Sequence, residues 1–139
     1  MENLTFETGV EEFDLNGKTK VCFNPTDSFF VEKLYKTFEQ LDAKQEQRKE
    51  EISKMAGNKE IFDYSRSMDA EMRAMIDDLF GAPISDAVFE GMNVYSMASG
   101  LPVWCNLMLA IMDTIDSTFS REQKATNPRV QKYTAKYHK

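Results

Sequence analysis

From Phe30 to Met55 the chain keeps one spacing: Phe30, Leu34, Phe38, Leu41, Gln45, Arg48, Ile52 and Met55 follow at steps of four and three. That period puts all eight on one side of an α-helix, although the middle of the stripe is polar. Asn24-Pro25-Thr26-Asp27 supplies a start. Asn24 can cap, Pro25 suits the first helical position, and Asp27 is favoured at the positive end of the helix dipole. Gly57-Asn58 supplies the stop. A helix over 25–56 is about 48 Å long at 1.5 Å per residue. A compact globule of 139 residues has a diameter of only about 37 Å. The helix therefore outruns the body: it either kinks or projects its polar-striped half, from Gln45, as an arm. Segment 44–54 is then placed to touch a second copy or another partner.

Upstream, Phe13 and Leu15 alternate before Asn16-Gly17, and Val21 and Phe23 alternate after it. Asn-Gly between alternating runs marks a hairpin, because both residues tolerate positive φ. A two-residue loop would pair Phe13 with Lys20 and put the apolar side chains on opposite faces. An odd loop with a glycine bulge pairs Phe13 with Val21 and gives one apolar face, and is preferred. Leu4-Thr5-Phe6 is a candidate third strand.

Downstream, Ile61, Met68, Met72, Met75, Ile76 and Leu79 define a second helix over 59–80, ended by Gly81-Ala82-Pro83. Ser85 or Asp86 can cap a third, with Ile84 and Phe89 as a hydrophobic staple; helix is favoured through 86–97. The run Leu101–Met112 is too short to cross a bilayer and contains Asn106, so it reads as a buried helix over 102–120. Trp104, Met108, Ile111, Ile115 and Phe119 form its core face. The fold class is α+β. An N-terminal β-hairpin of two or three antiparallel strands, about 10–23, precedes a mainly helical body of about four helices. One domain covers 1–120. Residues 121–139 form a basic tail or short helix, where Asn127-Pro128 repeats the cap-then-proline pattern.

Charge divides the chain. The net charge is −6, yet 121–139 holds six basic residues against Glu122 alone, which leaves −11 on the first 120. Between Arg73 and Arg121 there is no Lys or Arg, while Asp77, Asp78, Asp86, Glu90, Asp113 and Asp116 are present. Such a body repels phosphates, so nucleic acid is not an expected partner despite the Lys132, Tyr133, Lys136, Tyr137 pattern of the tail. The basic tail either reaches an acidic surface, in its own or a neighbouring copy, or is simply solvated. Arg129, Lys132 and Lys136 are the candidate self-association residues, and a homo-oligomer is expected.

Chemistry is sparse. The single histidine, His138, stands second from the end, which leaves no place for a Ser/His/Asp or Cys/His site. Cys22 and Cys105 stand alone in apolar runs without zinc spacing and read as buried. Asp113 and Asp116, at i, i+3 and with Asp77 and Asp78 as candidate additions, could hold Mg²⁺, but no phosphate-cradling glycine loop accompanies them. A solvated helix face beside the Ile115 stripe is the favoured account. No enzyme, cofactor or metal site is expected. With no membrane span and no signal peptide at its start, the chain is placed in the cytoplasm. Nine methionines are more informative. A Met-rich face either fills a core or offers an adaptable apolar grip. On the second account Met68, Met72, Met75, Trp104 and Met108 are the candidate partner contacts.

The segments Phe23-Asn-Pro-Thr-Asp-Ser-Phe-Phe30, Gly100-Leu-Pro-Val-Trp-Cys-Asn-Leu107 and Asn127-Pro-Arg-Val-Gln-Lys-Tyr133, with Lys136-Tyr-His138, resemble a family of small uncharacterised tailed-phage and prophage proteins. By size, acidity, strand-then-helix order and the Asp14–Lys18 turn, the chain also resembles the small tail-assembly chaperones of long-tailed phages. That resemblance implies a non-enzymatic morphogenesis factor, often oligomeric, acting in the host cytoplasm. Its partners would be the tape-measure protein, which it holds, and the tail-tube subunits. Alternatives are an acidic inhibitor that imitates DNA before a host nucleic-acid-binding protein, and a structural tail component.

Overall fold

The computed structural model describes residues 1–124, with side chains as far as Ile115. The order is β1 (Glu11–Leu15), β2 (Thr19–Phe23), α1 (Ser28–Ser53), α2 (Asn58–Phe80), α3 (Ser85–Phe89), β3 (Met97–Ala98), β4 (Leu101–Pro102) and α4 (Val103–Lys124). This is the α+β arrangement expected, a hairpin followed by four helices.

The β1–β2 hairpin has the odd loop. Phe13 pairs with Val21 and Leu15 with Thr19, leaving Asn16-Gly17-Lys18 as the turn. Asn16 and Gly17 both take positive φ, and Asp14 Oδ1 accepts the Gly17 amide at 2.7 Å. Val21 and Phe23 are buried as a result. Phe23 stacks between Phe13 at 4.6 Å and Phe30 of α1 at 4.3 Å, with Phe80 of α2 tilted against both Phe23 and Phe30. That aromatic cluster seats the hairpin on the helices. Segment 4–6 is not a third strand: the sheet has two, and Leu4 and Phe6 stand in solvent.

α1 starts three residues later than its first capping candidate suggests. Asn24 Oδ1 instead accepts from the amide and hydroxyl of Thr26, folding Asn24–Asp27 into a turn, and Asp27 caps α1 by accepting the Phe29 amide. α2 ends at Gly81 in the left-handed region, with the Ala82 amide returning to the Asp77 carbonyl, a Schellman closure.

The polar middle of the α1 stripe is covered. Gln45 Oε1 accepts Trp104 Nε1–H at 3.0 Å, the Arg48 guanidinium lies 4.2 Å over the Tyr95 ring, and Lys44 pairs with Glu71 of α2. The half of α1 after Gln45 therefore does not project alone; α2 runs back beside it. Beyond Arg48 and Tyr64 the cover ends: no side chain from Lys49 to Asp63 is buried, so there the α1–α2 hairpin extends past the core as a two-helix tip.

Helix does not continue to residue 97. α3 stops at Phe89, and Glu90, at φ +53°, turns the chain away. Asn93 Oδ1 accepts the Tyr95 amide, and Ser99-Gly100, both at positive φ, close the β3–β4 hairpin. The two central positive φ values are what a tight two-residue hairpin demands. Met68, Met72, Ile76, Val94, Trp104, Met108 and Ile111 share one core with Leu34 and Leu41 of α1.

Candidate functional site

Of the residues expected to grip a partner, Met68, Met72, Trp104 and Met108 are buried and Met75 is half-buried. The methionine stripe is the core face of α2, closed over by α1 and α4, and offers no open groove in this conformation. Arg129, Lys132 and Lys136 lie outside the described residues. Cys22 is exposed rather than buried, because strand alternation sends Val21 and Phe23 inward and Cys22 out. Cys105 is partly buried, and that burial pushes its thiol pKa up, away from reactivity.

Of the carboxylates read as a possible cation site, Asp113 is exposed and the side chain of Asp116 lies outside the described residues. Asp77 Oδ1 accepts the Ser85 amide at 2.8 Å and so holds the start of α3. Asp78 faces Lys33 of α1. Asp86, outside that set, takes one arm of Arg73 at 2.9 Å. Among the described residues, no three Asp, Glu, His or Cys side chains gather to hold a metal ion.

Arg73 is the hub of this region. Its guanidinium donates to Asp69 Oδ2, Asp86 Oδ1 and the carbonyls of Glu90 and Met92, while its side chain is only 13% exposed. Asp69 Oδ1 in turn accepts the Val94 amide at 2.7 Å, and Asn93 Nδ2 donates to the Ser65 carbonyl. Loop 90–95 is thereby strapped to α2, and it passes the constraint on: the Val94 carbonyl accepts the Trp104 amide at the start of α4.

Among the described residues, two open apolar surfaces bear on binding. The first is a groove of about 790 Å³ between the β1–β2 turn, the end of α3 and the first half of α4. Leu15, Val88, Phe89, Val103 and Leu107 line it; Asp14, Glu90 and Lys18 mark its rim. Lys18 is the single cation of that lining, and Glu90 engages it at 3.1 Å. The second surface is the N-terminal segment. Leu4 is 85% and Phe6 83% exposed, and Val10 is exposed beside them. The segment's root is fixed: Asn24 Nδ2 donates to the Thr8 carbonyl, and Gly9, at φ +75°, crosses so close to Asn24 that a Cβ there would lie 2.6 Å from its Nδ2.

Neither surface follows from helical periodicity. The alternation of Leu4 and Phe6 was the available signal for the second; the groove joins three stretches far apart in the chain. Among the described residues, no helix is long and apolar enough to cross a membrane. Comparison of the chain with family models, curated proteins and solved structures finds no match.

Proposed function

We propose that this chain is a non-enzymatic, protein-binding morphogenesis factor: a phage tail-assembly chaperone that holds the apolar tape-measure protein until tail-tube subunits enclose it. One observation carries the binding part. The core is complete, yet Leu4 and Phe6 are presented almost fully to water from a segment anchored at Thr8 and Gly9. Each such side chain is worth about 1.5–3 kcal/mol when buried. An apolar client is the occupant that recovers this energy. The identity of the client comes from the resemblance to tail-assembly chaperones and rests on it alone.

The test is co-expression with the tape-measure protein of a long-tailed phage. The expected outcome is a soluble complex that survives raised salt. With Leu4→Ser and Phe6→Ser combined, recovery should fall by about tenfold or more, from the apolar burial lost. A client that stays insoluble with the wild-type chain, or is retained equally by the double variant, would defeat the proposal.

The DNA-imitating inhibitor is the second reading, favoured by the 47 residues from Ala74 to Ser120 without a Lys or Arg. A mimic needs carboxylates free to face a partner. Asp77 is held by the Ser85 amide and Asp86, though exposed, is paired with Arg73, which ranks this reading behind apolar capture.

A further inference from the structure

We infer that the groove between the β1–β2 turn and α4 is the docking site of the chain's own C-terminal segment, 129–139, within the same molecule. The argument uses charge, reach and shape, and it is independent of the tail-assembly reading. The groove has an apolar floor, with Leu15, Phe89 and Leu107, and a rim on which the carboxylates Asp14 and Glu90 outnumber one cation, Lys18, which pairs with Glu90. Asn106 and Ala110 line it along α4, and Asp113, the next position on that face, is exposed and extends the acidic edge. An occupant should therefore alternate apolar or aromatic side chains with cations and carry no carboxylates.

Residues 125–139 lie outside the described residues, and their sequence has that composition. Arg129, Lys132, Lys136 and Lys139 meet no Asp or Glu, and Val130, Tyr133 and Tyr137 recur at steps of three and four. The body they would meet carries the opposite charge, −11 over the first 120 residues. Reach allows docking within one molecule. From Ala110 to the end of α4 at Lys124 is about 21 Å of helix at 1.5 Å per residue. Fifteen residues of extended chain span up to about 50 Å. The tail can fold back along α4 and bring Tyr133 and Tyr137 to the groove. Tethering supplies an effective concentration on the order of millimolar, so even weak docking is populated. The docked tail would keep the groove from other apolar segments.

The test uses the full chain and backbone amide NMR. In the wild type, exchange at Tyr133 and Tyr137 should be slowed by about threefold or more relative to free-chain rates. Tyr133→Ser with Tyr137→Ser should shift the amides of Leu15, Met92 and Leu107 and leave those of the α1–α2 tip in place. Asp14→Asn with Glu90→Gln keeps the acceptor to Gly17, removes both rim carboxylates and leaves Lys18; the same protection should then fall, as it should in high salt. All of these readings should be unchanged on tenfold dilution. Groove amides indifferent to the tyrosine substitutions would overturn the inference. So would tail protection that vanishes on dilution together with a fall in molar mass, which would assign the groove to a second copy's tail.

Discussion

Arg73 Nη2 donates to the backbone carbonyl of Glu90 at 2.9 Å, and Glu90 sits at φ +53°, a region that non-glycine residues enter at a cost. That cost is about 1–3 kcal/mol. The guanidinium therefore holds a strained turn closed, and it does so from inside a cluster containing Asp69 and Asp86. Arg73→Ala leaves a mostly buried Asp69 carboxylate without its partner and should lower unfolding free energy by about 3–5 kcal/mol. Arg73→Lys should recover little of this, because an ammonium cannot reach four acceptors in one plane. Urea unfolding of both variants checks the pair.

Trp104 is buried, and its indole N–H has Gln45 as acceptor, 59 positions away in sequence. Gln45→Leu should cost about 1–3 kcal/mol, the penalty for a stranded buried donor. The chain has one tryptophan, so fluorescence reports this site alone. A shift in the emission maximum with an earlier urea midpoint is the expected pair of signals.

Met72→Ala should destabilise by about 2–5 kcal/mol, since the side chain is wholly buried and the space it leaves cannot fully collapse. Phe6→Ser should leave the urea midpoint unchanged. A Met72 variant of wild-type stability that lost client binding would return the methionine face to the surface.

Burial pushes the Tyr95 hydroxyl up to about 12, and Tyr64 is raised by the same cause. In the unfolded chain tyrosine titrates near ~10. Between those values the folded state binds more protons than the unfolded one, so stability falls as pH rises, by up to about 1.4 kcal/mol per pH unit for Tyr95. Below that window the contribution is fully present. Urea midpoints at successive alkaline pH values, compared with Tyr95→Phe, isolate it: the phenylalanine variant should show a shallower decline.

The hairpin was legible because only one register buries Phe13, Leu15, Val21 and Phe23 on a single face, and that register requires the odd loop. The C-terminal end of α2 was legible from Gly81, whose left-handed φ is a local requirement, and Gly57 marked the break between α1 and α2. Pairings between distant residues were not. Gln45 and Arg48 read as the polar face of a free arm, because nothing nearby announces an indole N–H or a tyrosine ring as partner. Periodicity placed Met68 and Met72 on one side of a helix, but α1 and α4 decide that this side is closed. Turn chemistry at Asn93 and Ser99-Gly100 overrode the helical preference of 90–97, where the network of Arg73 and Asp69 fixes the path.

The two-helix tip from Lys49 to Asp63 adds no buried side chain to the core. It can therefore fray and re-form while the remainder stays shut, a separately opening unit with its own, lower protection against exchange. The bend at Ala56-Gly57 is accordingly a permissive site for a graft: lengthening a loop costs only about 0.6 kcal/mol per doubling. A protease that nicks the chain there would cut a handle and leave the vessel whole.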